Sequence, residues 1–408
     1  MHMYIKMAWR NILRNKRRTF IAGIAIGIGL ASLIFTDALV IGMERNMIHS
    51  ATASFLGEGQ IHREGFRDTY EVERTINGIE DLSQQLEKDS LIEHFTLRTL
   101  AFAMITSPAN MSSVSLIGIE PATEQGLSQI DEALVEGTYF AEDNQRDILI
   151  GSKLAEILEV AIGDRVVLTA AQAHTGDLAQ EMFRISGIYR TNISEMDRAM
   201  VFIRLARAQS MLNLAGQAHE IALKFTNDSY ARDRELPFWK IHSAGGNEAV
   251  GWPILLPQLH AAFELSRFSV LLVGLILFSV VALGIVNTLF MSLYERMYEF
   301  GVIRAVGTRP LAVGRLVVFE AGALALVSIL LGMLLGFLIT YIIAYYGIDY
   351  TGIEFAGVTF RYLLYPVLET TQFIYYPFWV FVFTMFVSLY PAAYAARLTP
   401  AEAMRRSL

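Results

Sequence analysis

Four long apolar runs divide the chain, and the stretches between them differ sharply in polarity. Residues 268–293 carry no charge, 316–343 carry only Glu320, 19–43 carry only Asp37, and 375–396 carry none. A helix needs roughly 20 residues to cross a hydrocarbon core of about 30 Å, so each run is long enough to span a bilayer. The pattern predicts transmembrane helices over 19–43, 267–293, 311–346 and 373–396. Four crossings leave both ends on one side. Lys6, Arg10, Arg14, Lys16, Arg17 and Arg18 precede the first run, Arg296, Arg304, Arg309 and Arg315 lie between the second and third, and Arg397, Arg405 and Arg406 follow the fourth. The positive-inside rule assigns the segments 1–18, 294–310 and 397–408 to the cytoplasm. The loop 347–372, with Arg361 against Asp349, Glu354 and Glu369, belongs outside.

Residues 44–266 are too many and too polar for a linker, and they predict an external folded domain with a sizeable core. Their pattern is mixed. Period-two or continuous apolar runs predict strands at 99–105, 113–119, 147–151, 165–169, 183–189, 199–203 and 220–225. Helical spacing appears at 81–88 and 204–214, and Ser152 is placed to cap a helix over 153–158. Gly163-Asp164 predicts a turn, and Gly245-Gly246-Asn247 a loop tip rather than a phosphate cradle. The expected fold class is therefore an α-helical membrane protein with four transmembrane helices and a large mixed α/β domain between helices 1 and 2. Before the first span, Ile5, Ala8, Trp9, Ile12 and Leu13 fall on one helical side and Lys6, Arg10, Arg14 and Arg17 on the other. That arrangement suits an amphipathic helix lying in the inner headgroup layer against anionic lipid. A basic topogenic flank without that helix gives the same topology.

Charge changes the picture in one respect. The net charge is −7, yet residues 44–266 hold 18 Lys and Arg against 32 Asp and Glu, so the acidity is local to the external domain. An acidic surface excludes nucleic acid as a partner, because phosphates demand basic contacts. The chain has no cysteine, which removes disulfides, thiolate metal sites and Cys nucleophiles from consideration. It contains no Walker A loop, no His-Glu-x-x-His and no Gly-x-Ser-x-Gly elbow. No catalytic residue, metal ligand or cofactor site is expected, and the chain reads as a non-enzyme. The small-xxx-small pairs Gly23/Gly27 and Gly332/Gly336 mark helix faces that allow close approach, though glycine is also simply tolerated in lipid-facing helices. Asp37 and Glu320 fall near the predicted ends of their spans, where water can hydrate them.

The most informative stretch is Glu295-Arg-Met-Tyr-Glu-Phe-Gly-Val-Ile-Arg-Ala-Val-Gly-Thr-Arg-Pro310, a charged helix candidate between two spans. Gly307 is a natural C-cap and Pro310 a natural first helical residue, so the segment reads as a rigid knob joined at both ends to membrane helices. Tyr298, Phe300, Val302, Ile303 and Val306 offer apolar contact, and Glu295, Glu299 and Arg304 orienting charge.

The order of basic start, span, large external domain and three further spans resembles the permease subunits of the type VII ABC transporter superfamily, which includes lipoprotein-releasing, macrolide-exporting and cell-division permeases. The superfamily's Arg-Glu-x-Gly-x-x-Arg-Ala-x-Gly core is matched by Tyr298-Glu-Phe-Gly-Val-Ile-Arg-Ala-Val-Gly307, with Tyr298 where Arg is usual. The opening Met7-Ala-Trp-Arg-Asn-Ile-Leu-Arg-Asn-Lys-Arg-Arg-Thr19 and the closing Pro391-Ala-Ala-Tyr-Ala-Ala-Arg-Leu-Thr-Pro-Ala-Glu-Ala-Met-Arg405 are similar to its terminal motifs, Met404 replacing Leu. Glu136-Gly-Thr-Tyr-Phe, Ile148-Leu-Ile-Gly-Ser-Lys-Leu-Ala and Gly163-Asp-Arg-Val resemble its periplasmic core domain.

The resemblance implies that Glu295, Arg296, Glu299, Phe300, Gly301, Ile303, Arg304, Ala305 and Gly307 form the coupling element for a separate ATPase dimer, which carries ATP and Mg²⁺. It further implies a second permease chain, equal or related, and location in the bacterial inner membrane with the large domain periplasmic. ATP-driven closure would be passed to that domain by mechanotransmission. The length, Trp252-Pro-Ile-Leu-Leu-Pro257 and the residues around Tyr189 and Asp197 resemble the lipoprotein-releasing members. Efflux of small molecules or peptides, and signalling to a cell-wall hydrolase or sensor, are the other activities the resemblance allows.

Overall fold

The computed structural model describes residues 7, 10, 16–140, 144–191, 193–355, 358–360 and 362–399. The predicted interfacial helix at 1–18 falls outside these, apart from Met7, Arg10 and the start of the first long helix, as does the tail beyond Thr399. The chain divides into two compact units. One comprises residues up to Arg45, Phe263–Asp349 and the chain from Leu363; the other comprises Asn46–Ala262 and Tyr350–Tyr362.

The first helix, α1 (Lys16–Ala51), runs two turns beyond the expected end of its span and passes into a single π turn, Thr52–Leu56, closed at Gly57. The charges at Glu44 and Arg45 end the apolar run without ending the helix. Apolar positions Met47 and Ala51 keep the helical spacing and are buried.

The mixed unit is a sheet of ten strands among the described residues: β1 (Gly59–Arg63), β2 (Ile92–Thr106), β3 (Met111–Ile119), β4 (Leu134–Gly137), β5 (Asp147–Gly151), β6 (Arg165–Ala171), β7 (Leu178–Tyr189), β8 (Met200–Arg204), β9 (Glu220–Phe225) and β10 (Asn247–Gly251). Its order is β10-β1-β9-β2-β3-β8-β5-β7-β4, with β6 paired to β2 and β7. The β3/β8 and β5/β7 pairs are parallel and the others antiparallel. The long β2 joins three neighbours: β9 through its first half, β6 through its end, and β3 from Arg98 to Thr106. Alternation along β2 sends Ala101, Ala103 and Ile105 into a core shared with Val114, Leu116, Ile148, Ile150, Val166, Leu168 and Val201. Two helices close that core, α2 (Ser152–Leu158) through Leu154 and Leu158, and α3 (Leu205–Leu212) through Ala208, Met211 and Leu212. The opposite face carries a second cluster around Ile117, Leu149, Tyr189 and Phe202.

Ser152 is the first residue of α2 rather than its cap. Gly151 takes the cap position without a side-chain bond, and the Ser152 hydroxyl accepts from Arg190 Nε at 3.4 Å. β1 and β10 have no counterpart in the apolar pattern, because β1 buries Gln60 and His62 and β10 is Asn-Glu-Ala-Val-Gly.

Beyond the mixed unit come α4 (Pro257–Glu295), α5 (Met297–Ala305), α6 (Pro310–Tyr346) and α7 (Gln372–Arg397). Among the described residues, the helices carrying the four apolar runs are long and apolar enough to cross a membrane. They share a core of Ile26, Leu30 and Ile34 from α1, Val281, Ile285 and Leu289 from α4, Ala321 and Leu324 from α6, and Val380 from α7. Asp37 of α1 accepts from Gln372 Nε2 at 3.0 Å, and the Arg45–Glu369 ion pair, at 2.7 Å, ties the same two chain regions.

Candidate coupling site

The chain breaks between α4 and α5 at one residue. Arg296 has φ −109° and ψ 11°, its N–H donates to the Leu293 carbonyl, and its own carbonyl accepts from Phe300 N–H. A nine-residue helix is too short to persist alone. α5 is held by burial of Met297 and Phe300 against Leu293, Val313, Leu316, Val317, Ala392, Ala395 and Leu398. At about 2 kcal/mol for each fully buried side chain, this contact outweighs any intrinsic helix propensity. The C-terminus closes as expected at Gly307, whose φ of +104° lets Thr308 N–H reach back to the Ile303 carbonyl. Arg309 then caps α6, with Pro310 as its first residue.

Two arginines fasten the ends of α5 to different helices. Arg296 Nη1 donates to both carboxylate oxygens of Glu320 on α6, at 3.0 and 3.1 Å, and its Nε donates to Glu299 at 3.1 Å. Its guanidinium also sits 5.0 Å from the Phe300 ring centre. The Arg296 and Glu320 side chains are only 7% and 10% exposed, so Glu320 is not the hydrated span-end residue expected from its position. The carboxylate takes its compensation from a guanidinium, as a buried charge requires. At the other end, Arg304 Nη1 donates to the carbonyls of Ala396 and Leu398, at 2.9 and 2.8 Å, serving acceptors that the end of α7 leaves open.

The sequence-derived coupling residues separate into two sets. Arg296, Phe300 and Gly301 are buried, Arg304 is half-buried, and Glu295, Glu299, Ile303, Ala305 and Gly307 are exposed. Tyr298, Val302 and Val306 form an exposed apolar stripe four residues apart, with Val306 84% exposed. Sequence reasoning missed the inward anchors: Met297, the Glu320 carboxylate and the α7 carbonyls. One signal for the pairing was available, the single acid in an otherwise uncharged span.

The glycine pairs meet each other. A methyl group built on Gly332 of α6 would stand 2.8 Å from the Gly27 carbonyl oxygen of α1, and one on Gly27 would stand 3.3 Å from the Gly332 nitrogen. Gly336 faces Ala31 and Ile34, whereas Gly23 has its nearest neighbour, Ser328 Oγ, at an ordinary 3.5 Å. A further close approach has no partner motif in sequence: Gly42 lies against the Tyr365 carbonyl, where a methyl would come within 2.2 Å. No group of three His, Asp or Glu suited to a metal occurs among the described residues.

Comparison with known proteins places this architecture. The family model described as MacB-like periplasmic core domain matches residues 19–232, just over half of the chain, and that described as FtsX-like permease C-terminal matches 271–400. The lipoprotein-releasing system transmembrane protein LolE of Haemophilus influenzae is 22% identical over 395 residues, covering 94% of this chain and 93% of that protein. LolC of Xylella fastidiosa (strain 9a5c) is 22% identical over 309 residues, covering 71% of this chain and 72% of its own length. Among solved structures, the periplasmic region of MacB from Actinobacillus actinomycetemcomitans overlaps 51% of this chain and 94% of its own, at 14% identity and a TM-score of 0.35.

Proposed function

The chain belongs to the FtsX-like permeases with a MacB-like periplasmic core domain, membrane subunits of ABC transporters, and from that premise we propose that it drives release of lipoproteins from the bacterial inner membrane toward the outer membrane. The observation that carries the cargo assignment is the similarity to LolE, a protein of a lipoprotein-releasing system, along 94% of the chain. In this reading a separate ATPase dimer, holding ATP and Mg²⁺, docks on the exposed face of α5, where Tyr298, Val302 and Val306 supply contact area and Glu295 and Glu299 supply orienting charge. A second permease chain completes the assembly, and the mixed unit stands in the periplasm, where it meets lipoprotein cargo.

The geometry supports a mechanical role for α5. Arg296 fixes it to α6 and Arg304 fixes it to α7, so a force on the exposed face reaches two spans through hydrogen bonds as well as through the packed core. Chemistry at the nucleotide is left to the partner. This chain's own residues position, anchor and transmit.

Mass spectrometry of the complex purified in mild detergent from native membranes tests the reading. A separate ATPase together with acylated lipoproteins is the expected recovery. An ATPase accompanied by an adaptor protein without lipoproteins would replace lipoprotein release with efflux, and the absence of any ATPase would overturn the transporter assignment.

A further inference from the structure

The face of the mixed unit's sheet opposite its larger core is not fully covered. Leu100 and Phe102 of β2, with their register partners Ile117 and Ser115 of β3 and Met200 of β8, floor a cleft of about 280 Å³. Its walls come from Phe55 and from the turn carrying Phe66, Arg67 and Tyr70. At ~30 Å³ for each water, the space is on the order of nine water volumes, the size of a short alkyl chain. It sits at the lower edge of the range for ligand pockets.

Three observations set this cleft apart from a packing defect. Phe102 is 61% exposed in the middle of a strand, although the next residue on either side is buried in the core. Tyr70 adopts φ 52° and ψ 33°, a left-handed conformation that is costly for a bulky residue, and so places its ring 5.7 Å from Phe102 and 5.4 Å from Phe66. The aromatic wall is thus held in a strained backbone. Third, Arg67 lines a mostly apolar cavity without an ion-pair partner among the described residues. Its guanidinium makes two long hydrogen bonds of 3.4 Å to neutral acceptors, Gln60 Oε1 and the Leu255 carbonyl. The acid in the lining, Glu220, is already bound to Arg98 at 2.9 Å, and Arg98 also holds Glu124.

We propose that this cleft binds a single-chain amphiphile with an anionic head, the carboxylate or phosphate on Arg67 and the chain over Phe102 and Met200 between the Phe55 and Phe66–Tyr70 walls. An unpaired guanidinium at the edge of an apolar cavity matches a carboxylate or phosphate in both charge and bidentate geometry. The nearby Glu220 accepts from Arg98 Nη1 at 2.9 Å, so its charge is already met inside the fold and does not oppose an anion strongly. The assignment goes beyond the cargo of the transport reading and does not depend on an ATPase.

The absence of cysteine allows a direct test on the full chain in nanodiscs of zwitterionic lipid. Ser115→Cys places one thiol on the cleft floor, and Ser112→Cys, two strand positions beyond Val114 and on the other face, serves as control. Octanoate and octyl phosphate should slow maleimide labelling of the first thiol at least five-fold and saturably, with octylamine and 1-octanol much weaker and the control thiol unaffected. Stronger protection by octyl phosphate would mark a phospholipid-derived ligand, and stronger protection by octanoate a free fatty acid. Arg67→Gln should erase the preference for anions, and Arg67→Lys should keep it. Equal protection by all four compounds, insensitive to Arg67, would overturn the anionic assignment, and no protection by any of them would overturn the site.

Discussion

Arg296 and Glu320 are 24 residues apart, yet each makes the other's burial tolerable. A buried ion pair adds little net stability, since desolvation consumes most of the Coulombic gain, but removing one partner strands a charge at a cost of about 3–5 kcal/mol. Arg296→Met and Glu320→Leu should therefore each lower the melting temperature of the chain in nanodiscs, while the double variant recovers most of it. If the pair serves coupling, the double variant should fold and still fail to stimulate its ATPase; normal stimulation would reduce the pair to a structural role. In the mixed unit, His62 and Glu58 give opposite pH signatures. Burial, reinforced by the nearby Arg67 charge, holds the His62 imidazole down at about 4 from an ordinary 6.5, and neither ring nitrogen has a hydrogen-bond partner, Glu248 being 3.6 Å away. Between those values the unfolded chain binds a proton that the folded chain refuses, so His62 contributes stability above pH 6.5 that is lost as pH falls to 4. Glu58 runs the other way: burial pushes its carboxyl from 4.5 up to about 7, although it accepts from Phe225 N–H, so its contribution is complete below pH 4.5 and lost as pH rises to 7. Thermal melts from pH 4 to 8 should show His62→Leu relieving the acid-side loss and Glu58→Gln flattening the loss toward neutrality; an interchange of these effects would refute the protonation states.

Helices and strands were unequally legible in the sequence. The spans were plain because uncharged runs of more than 20 residues have few other uses, and the helix that carries the third, Pro310–Tyr346, begins at the proline that the sequence marks. The ends of α1 and α4 were less plain, since each helix continues past its apolar run with a face that stays buried. β1 was illegible because a strand paired on both sides, to β9 and β10, can hold Gln60 and His62 where the pattern demands apolar residues. The glycine spacing announced a smooth face on α1 and another on α6 but not that they mate, which is a three-dimensional fact. Their pairing yields a contrast between two substitutions of the same kind. Alanine gains up to about 1 kcal/mol over glycine in a helix interior. At Gly23 the added methyl meets nothing closer than 3.5 Å, so Gly23→Ala should be neutral or stabilising. At Gly332 it meets a backbone oxygen at 2.8 Å, and the overpacking cost of about 1–3 kcal/mol should prevail. Melting temperatures of the two variants in the same nanodiscs decide it, and equal tolerance at both positions would place α1 and α6 farther apart than described.

At the scale of the whole molecule, the chain crosses between the compact units four times, and two of the crossings, Arg45/Asn46 in α1 and Ala262/Phe263 in α4, fall inside helices. α5 is short of slack, separated from α4 by Arg296 alone and from α6 by the four residues 306–309. The proposed mechanotransmission requires stiffness along this path, so adding slack should separate hydrolysis from work. Inserting Gly-Ser-Gly-Ser after Thr308 costs little in folding, because loop-closure entropy rises by only about 0.6 kcal/mol per doubling of loop length. It leaves α5's packed face and the Arg296–Glu320 bond in place but slackens the covalent link between α5 and α6. The same insertion after Gly352, a turn glycine at φ +84° with open space around it, changes a loop outside this path. In proteoliposomes with the partner ATPase, the Thr308 insertion should retain ATP hydrolysis and lose at least nine-tenths of cargo release, while the Gly352 insertion retains both. Undiminished release with the Thr308 insertion would mean that force reaches the spans through the packed face alone, and loss of hydrolysis and release together would mean that the linker sets the docking surface rather than the transmission.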